Sequence, residues 1–468
     1  RCDDCGRLFV LKKKDRREYN WIAIPAVSLI FLFFIYLVGF KTRYRTAVLN
    51  TVSIIDMDTK NKITHITTGM GIFNNKKGDL KITYSEKNNI DFNIAQSGSS
   101  NYVVYADGKE PEGKVVSKLI LTEPMDYELY NVSMWEPKQL TAKKTEPLQD
   151  EIISSIEINE GIFKATINNT TKYNFMDTFI TLGNNFIDVG DILPGQRKLI
   201  NVDLNSENVY KSYEEFLDSR YGRASYPSNI VPPDDFVEKR RKRTVVNGLL
   251  EDKYLSIKGQ TKIGLYALNY QNIDYDVKIN NEKPTTYYTN GIFSSFDMNF
   301  EKGKKFDIPS GVILPKMVEY DNVESIAGVD DDNGVRIENE GDIDFVYAIP
   351  NGIMPDEISL KFDTYIPLYV KYDIEDMKMG NSNLETKILQ NKYEYYLYNK
   401  TLDSWEQIKE THTRTGNIDQ YIDKENKLNV RVRVVEMADN NSKNQDEYGY
   451  IEMERLAFPE LSLKGVMR

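Results

Sequence analysis

IEINEGIFKATINNTTKYNFMDTFITLGNNFIDVGDILPGQRKLINVDL, residues 156–204, decides the fold class. Ile156, Ile158, Ile162 and Phe163 lead into Ala165 and Ile167, an apolar pattern with the period of a strand. Asn168-Asn169-Thr170-Thr171 reads as a turn. Phe179, Thr181 and Gly183 make a second strand, followed by Phe186-Ile-Asp-Val-Gly190. Pro194-Gly195 is another turn signal, and Leu199, Val202 and Leu204 close the unit. Short strands with turns at this spacing predict a small immunoglobulin-like sandwich over residues 149–206.

Outward from this unit the same grammar repeats. In the β-rich segment 41–148, Val52, Ile54 and Met57 start a strand, and Ile72-Phe73 precedes the turn Asn74–Gly78. Leu80, Ile82 and Tyr84 then alternate with period two. Trp135 is a lone aromatic here, best read as packing. In 207–256, Ser206 is a candidate N-cap for a helix through Tyr210, Tyr213, Phe216 and Leu217 that ends by Gly222. Pro227, Pro232 and Pro233 mark a linker, and a second helix is expected from Asp234-Asp235 to about Leu250. We expect this stretch to be a short helical linker. Strand patterns return in 257–354, from Thr261–Leu268 and at Val277 and Ile279 before Asn280-Asn281. Residues 355–468 predict a C-terminal β-sandwich. There Leu360, Phe362 and Tyr365 alternate, as do Leu368, Val370 and Tyr372. Tyr393–Tyr398 and Val430–Val435 are strands, the latter with Arg431 and Arg433 on its wet face.

The N-terminal side differs. Residues 21–40, WIAIPAVSLIFLFFIYLVGF, carry no charge. As a helix at about 1.5 Å per residue they reach roughly 30 Å, the thickness of a bilayer core. Trp21 and Tyr36 suit the headgroup zones. Seven Lys/Arg precede the segment, and only Lys41, Arg43 and Arg45 follow closely. That asymmetry predicts a cytoplasmic juxtamembrane segment 1–20, a single transmembrane helix 21–40, and everything after about residue 41 extracytoplasmic. The run is too long for a cleavable signal peptide, and no small-residue site follows it. The chain begins with Arg1 rather than Met and reads as a fragment, a processed form or an incomplete gene product.

The fold class expected is therefore mainly β: one transmembrane helix, then several immunoglobulin-like or jelly-roll-like sandwiches joined by a short helical linker. No cysteine follows residue 5, so no disulfide framework holds the exterior and stability must come from burial. Through Arg45 there are ten Lys/Arg and four Asp/Glu, a net +6; the whole chain is −11, which leaves −17 beyond. An acidic exterior argues against nucleic acid as a partner.

Several residues invite a function. Glu238-Lys-Arg-Arg-Lys-Arg243 is the densest basic run after the anchor. Lys239, Arg240, Arg241, Lys242 and Arg243 solvate a helix face against the acidic body, contact anionic lipid heads or wall polymer, or form a processing site. Tyr395 and Tyr398 in one strand, with Trp405 after the turn at Asn399-Lys400, offer a stacking surface for wall glycan. Cys2 and Cys5 form the one CxxC; the spacing suits half of a zinc site shared between two chains, or a redox pair, but two further ligands and a βαβ context are missing and an incidental pair is the plainer reading. In Asp330–Gly334, an EF-hand register puts Asp331, Asn333 and Glu340 on the third, fifth and twelfth positions. Val329 falls on the first position and cannot ligate through its side chain. An acidic turn is the plainer reading. His65 and His412 lack a nucleophile motif nearby, and no phosphate-binding, dinucleotide or metalloprotease signature occurs. No cofactor is expected.

Three stretches together resemble a family of uncharacterised membrane proteins in Gram-positive bacteria. Phe9–Glu18 with Trp21 and Pro25 is similar to the short cytoplasmic loop between that family's two membrane helices. Gly161–Leu204, with Asn168-Asn-Thr, Gly190-Asp191 and Pro194-Gly195, resembles its small sandwich, and Tyr398-Asn399 with Trp405 its C-terminal strand pair. Cys5-Gly-Arg-Leu8 departs from the pattern that usually opens the loop. Such genes often accompany a MoxR-type AAA ATPase and a transglutaminase-like membrane protein. The resemblance implies an envelope role and supplies no catalytic residues. The leading expectation is a membrane-anchored, non-catalytic scaffold that binds envelope proteins. A wall-polysaccharide module and a sensor signalling through the helix are the alternatives. Tyr395, Tyr398 and Trp405 lining one open groove would favour glycan, and burial of these rings would favour the scaffold.

Overall fold

The computed structural model describes residues 27–34, 46–84, 91–93, 117–120, 124–134, 136–148, 152–223, 233–273, 275–298, 302–317, 327–331, 334–365, 385–436, 448–453 and 455–467. Among the described residues the chain is mainly β, with 59% strand, 13% helix and several separate sheets. A first helix, α1, covers residues 27–34 and carries exposed side chains throughout. Among the described residues no helix is long and apolar enough to cross a membrane. The rest of the 21–40 run, and Trp135, Leu368, Val370 and Tyr372, lie outside the described residues.

Two units divide the chain. The first holds Arg1–Thr51, Gly69–Ala142 and Ile273–Tyr287. Its four-stranded sheet runs in the order Val277–Ile279, Gly78–Tyr84, Met125–Val132, Ser117–Ile120. Leu80, Ile82 and Tyr84 bury one face, as their alternation predicts. They pack with Met70, Ile72, Leu140 and Ala142.

The second unit holds Val52–Thr68, Lys143–Asn272 and Tyr288–Arg468. Here Phe175–Leu182 pairs on one side with Asn185–Ile192 and on the other with Lys262–Asn269, which pairs in turn with Thr285–Asp297. A separate three-stranded sheet orders Arg197–Asp203, Ile162–Asn168 and Ile153–Asn159. Every strand read in 156–204 is present, but the expected boundary at 206 cuts through a sheet: Phe179 faces Tyr266, and Leu182 faces Ile263. Period two identifies strands; it says nothing of distant partners.

The expected helical linker is corrected as well. Helix α2, Tyr213–Tyr221, ends at Gly222 (φ 75°), and helix α3, Phe236–Leu249, starts after Asp235. Residues 209–210, assigned above to the first helix, instead form a short strand against Phe186 and Ile187. Both helices bury one face on the sheet. Phe216, Leu217, Tyr221, Val245, Val246 and Leu249 pack with Phe179, Phe186, Tyr266 and Phe293. The rings of Phe179 and Phe216 lie 4.5 Å apart, and those of Phe179 and Tyr266 stack at 4.9 Å. Each buried ring contributes roughly 1.5–3 kcal/mol, so these helices belong to the core.

Further along, a five-stranded sheet orders Pro315–Met317, Gly341–Ala348, Lys427–Glu436, Lys392–Asn399 and Ser404–Ile408. A four-stranded sheet orders Lys305–Ile313, Glu460–Met467, Ile353–Lys361 and Thr411–Thr415. Phe345, Tyr347, Val430 and Val432 of the first and Ile358, Leu360, Leu461 and Leu463 of the second are fully buried. The Tyr347 hydroxyl donates to the carbonyl of Pro459 at 2.5 Å. The expected boundary at 354 divides this pair of sheets, because Glu460–Met467 binds Lys305–Ile313 as well as Ile353–Lys361.

Candidate functional site

The outer face of the five-stranded sheet gathers charge and aromatic rings. In Lys427–Glu436, Val430, Val432 and Val434 point into the core, which sends Arg431 and Arg433 to the other side. Antiparallel register sets Arg431 opposite Asp344 and Arg433 opposite Asp342. On the other flank Arg431 faces Tyr396, and Arg433 faces Glu394. Arg431 grips Asp344 with two bonds, Nε to Oδ1 at 2.6 Å and Nη2 to Oδ2 at 2.8 Å, and sends Nη1 to Asp342 at 2.9 Å. Arg433 takes Asp342 in the same two-pronged way, at 2.6 and 2.9 Å. The planar fork of guanidinium suits this geometry. Hydrogen bonds from Arg433 hold the Asp342 carboxyl below its usual range against the opposing effect of burial, with the charge of Arg431 adding to them.

The rings continue the face toward the sheet edge. The Arg431 guanidinium lies 4.3 Å from the Trp405 ring centre, and that of Arg433 lies 5.1 Å from Tyr396. Tyr398 and Trp405 are direct cross-strand partners with centroids 5.2 Å apart. The tyrosine hydroxyl contacts on this face are local: Tyr398 donates to Asp403, and Tyr396 donates to Glu394. Trp405, Tyr398 and Tyr396 are all half-buried.

Tyr395 does not join them. It points to the opposite face and stacks on Phe362 at 4.3 Å, and burial pushes its phenol up to about 12. The three rings therefore do not line one groove. Tyr396, Asp342 and Asp344, which sequence reading missed, share the face with Trp405. Alternation in Tyr393–Tyr398 already separates 395 from 396 and 398; only the pairing partner Asp342-Ile-Asp344 is invisible locally.

The basic run breaks up in a similar way. Arg243 is buried and reaches Asp218 at 2.6 Å and the carbonyl of Gly222 at 2.8 Å, which ties α3 to the end of α2. Lys242 lies 3.3 Å from Glu238 and 3.6 Å from Asp177, and Lys239 lies 2.7 Å from Asp235. Arg240 sits over the Phe236 ring at 5.9 Å, and Arg241 is exposed. The run thus spends part of its charge inside the protein, so it offers solvent less charge than its composition implies.

Of the residues singled out for metal, Cys2, Cys5 and Asn333 lie outside the described residues. Asp331 ends a strand, Ala327–Asp331, and pairs with Gly334 across a hairpin. Glu340 is exposed in the bend before Gly341. Among the described residues no group of three or more His, Cys, Asp or Glu is placed to hold a metal ion. His412 lies in the strand Thr411–Thr415 opposite Leu360, and burial lowers its pKa.

No curated protein matches the chain. Among solved structures, the chain is similar to the yeast delta-COP-I mu-homology domain complexed with a Dsl1 WxWxV peptide. That match is at 6% identity, over 54% of this chain and 96% of that one, with a TM-score of 0.24. It is also similar to a bacterial ice-binding adhesin studied for retention on the host cell surface, at 6% identity over 83% and 86%, with a TM-score of 0.14. Likenesses of this size carry no argument about fold or function. Residues 151–299 match one family model, a domain of unknown function (DUF8725), and residues 307–465 match a second, also a domain of unknown function (DUF8815).

Proposed function

We propose that this chain is a membrane-anchored, non-catalytic scaffold of a bacterial cell envelope, which holds immunoglobulin-like β-domains outside the membrane for other envelope proteins to bind. The observation that carries the reading is α1. Its large apolar side chains, from Val27 to Phe34, are each 54–66% exposed. A helix apolar on every face has no polar side to give to water and calls for an apolar surround. The helix lies within the uncharged run 21–40, and the Lys/Arg excess before that run favours a cytoplasmic N-terminus. Cross-linking in native membranes tests the scaffold. Reproducible adducts with other envelope proteins are expected, and a chain that cross-links to nothing would sink the reading.

One observation favours a second reading, a wall-glycan module. Tyr398 and Trp405 remain together, half-buried, at the edge of the polar sheet face. Aromatic rings stack on sugar rings, and a network of paired carboxylates and guanidinium groups supplies hydrogen bonds around them. Co-sedimentation of the detergent-solubilised chain with cell-wall sacculi, saturable and lost in Trp405→Ala, would favour the glycan module over the scaffold.

A further inference from the structure

A lysine that no mechanism above uses lies against a buried side-chain amide. Asn185 is fully buried at the start of the strand Asn185–Ile192. Its Nδ2 donates to the carbonyls of Leu182 at 2.8 Å and Gly311 at 3.1 Å, which fixes the plane of the amide. Its Oδ1 is met by Lys211 Nζ at 2.5 Å. Lys211 lies in the turn before α2; its residue is largely exposed, but its Nζ is held between Asn185 and the carbonyl of Leu204, at 2.7 Å. Among the described residues no carboxylate forms an ion pair with this amine. Glu460 and Asp203 act on it only through longer-range charge.

We propose that Lys211 and Asn185 join in an intramolecular isopeptide bond. The lone pair of Nζ attacks Cγ of Asn185, the new Nζ–Cγ bond forms and the Cγ–Nδ2 bond breaks. One Nζ proton passes to Nδ2, which leaves as ammonia with its own two hydrogens. No oxidant, cofactor or second substrate is consumed. Two features of the site favour the reaction. A primary amine held against an amide in one orientation gains the effective concentration of an intramolecular reaction. Burial lowers the Lys211 pKa and so raises the share of neutral, nucleophilic amine. The product would close the chain between 185 and 211 and tie the strand to the segment that precedes α2. Cross-links of this kind stabilise by restricting the unfolded chain. The bond would sit beside the contact of Asn184 and Asn185 with Gly311, where the two family-matched segments meet. The inference does not depend on the scaffold reading.

Intact mass spectrometry of the purified full chain, unfolded in denaturant, tests it. The expected mass is lower than the sequence mass by one molecule of ammonia, and the tryptic digest contains a branched peptide that joins 185 to 211, uncleaved at Lys211. Lys211→Arg is expected to return to its full sequence mass. A wild-type chain at the full sequence mass would overturn the proposal. So would an ammonia loss that persists in Lys211→Arg, which would mark a cyclic imide on Asn185 alone. The branched peptide is read from the wild-type chain, so the test stands even if the variant fails to fold.

Discussion

Gly183 and Gly311 meet backbone to backbone: a Cβ built on Gly183 would lie 2.0 Å from the carbonyl oxygen of Gly311. Both residues have positive φ, 60° and 80°. Gly183 opens the hairpin turn between Phe175–Leu182 and Asn185–Ile192, and Gly311 sits in a bulge of Lys305–Ile313. The Asn184 N–H then donates to the Gly311 carbonyl at 2.9 Å. A turn of one family-matched segment is thereby seated on a strand of the next.

Gly183→Ala is therefore expected to destabilise the chain by about 3 kcal/mol or more, from left-handed strain and a backbone clash that no side-chain movement relieves. Chemical denaturation of the full chain in detergent measures it. Gly195→Ala is the control, with a similar φ of 77° and no atom near its Cβ, and strain alone should cost about 1 kcal/mol there.

Arg431→Ala and Arg433→Ala should differ. Arg431 is the two-pronged partner of Asp344, which is only 9% exposed, so its removal leaves a carboxylate buried without its main partner. A loss of about 2–4 kcal/mol is expected. Arg433 is 45% exposed along its side chain, and its Asp342 keeps one bond from Arg431. The loss there should be about 1 kcal/mol or less. Equal losses would mean that the face does not act as an ordered ladder.

Acid should weaken this face in a defined window. The Asp342 carboxyl is held low in the folded chain, so the unfolded chain takes up the proton first. Its contribution is complete above about pH 4, the ordinary carboxylate value, and is lost as pH falls through the folded value. Glu406 behaves alike, held low by Asn399 and Tyr421. Thermal unfolding followed from pH 7 to pH 2 should show a steepening loss below about pH 4, shallower in Asp342→Asn.

Much of the local structure was legible in the sequence. Leu80, Ile82 and Tyr84, and Val430, Val432 and Val434, alternate in sequence and bury one face in the fold. Gly222 ends a helix with positive φ, as its backbone freedom predicts, and a helix starts after Asp235, although that carboxylate makes no side-chain capping bond. What stayed hidden was non-local. Nothing near Phe179 announces Tyr266 as its partner, and nothing near Arg431 announces Asp344, 87 positions away. The linker reading of 207–256 failed for a related reason. The basic run masks an apolar stripe, Val245, Val246 and Leu249, whose covering sheet is assembled from strands on both sides. Tyr395 and Tyr398 are close in sequence but lie on opposite faces of their strand, because an odd separation crosses the sheet.

The central claim, an anchored scaffold facing outward, is tested most directly by alkaline extraction of membranes combined with protease treatment of intact cells. The full chain is expected to stay in the extracted membrane pellet, and external protease to remove the part beyond about residue 46 while a short N-terminal remnant stays protected. A chain released by alkaline wash, or one untouched by external protease yet cleaved once the membrane is opened, would contradict it.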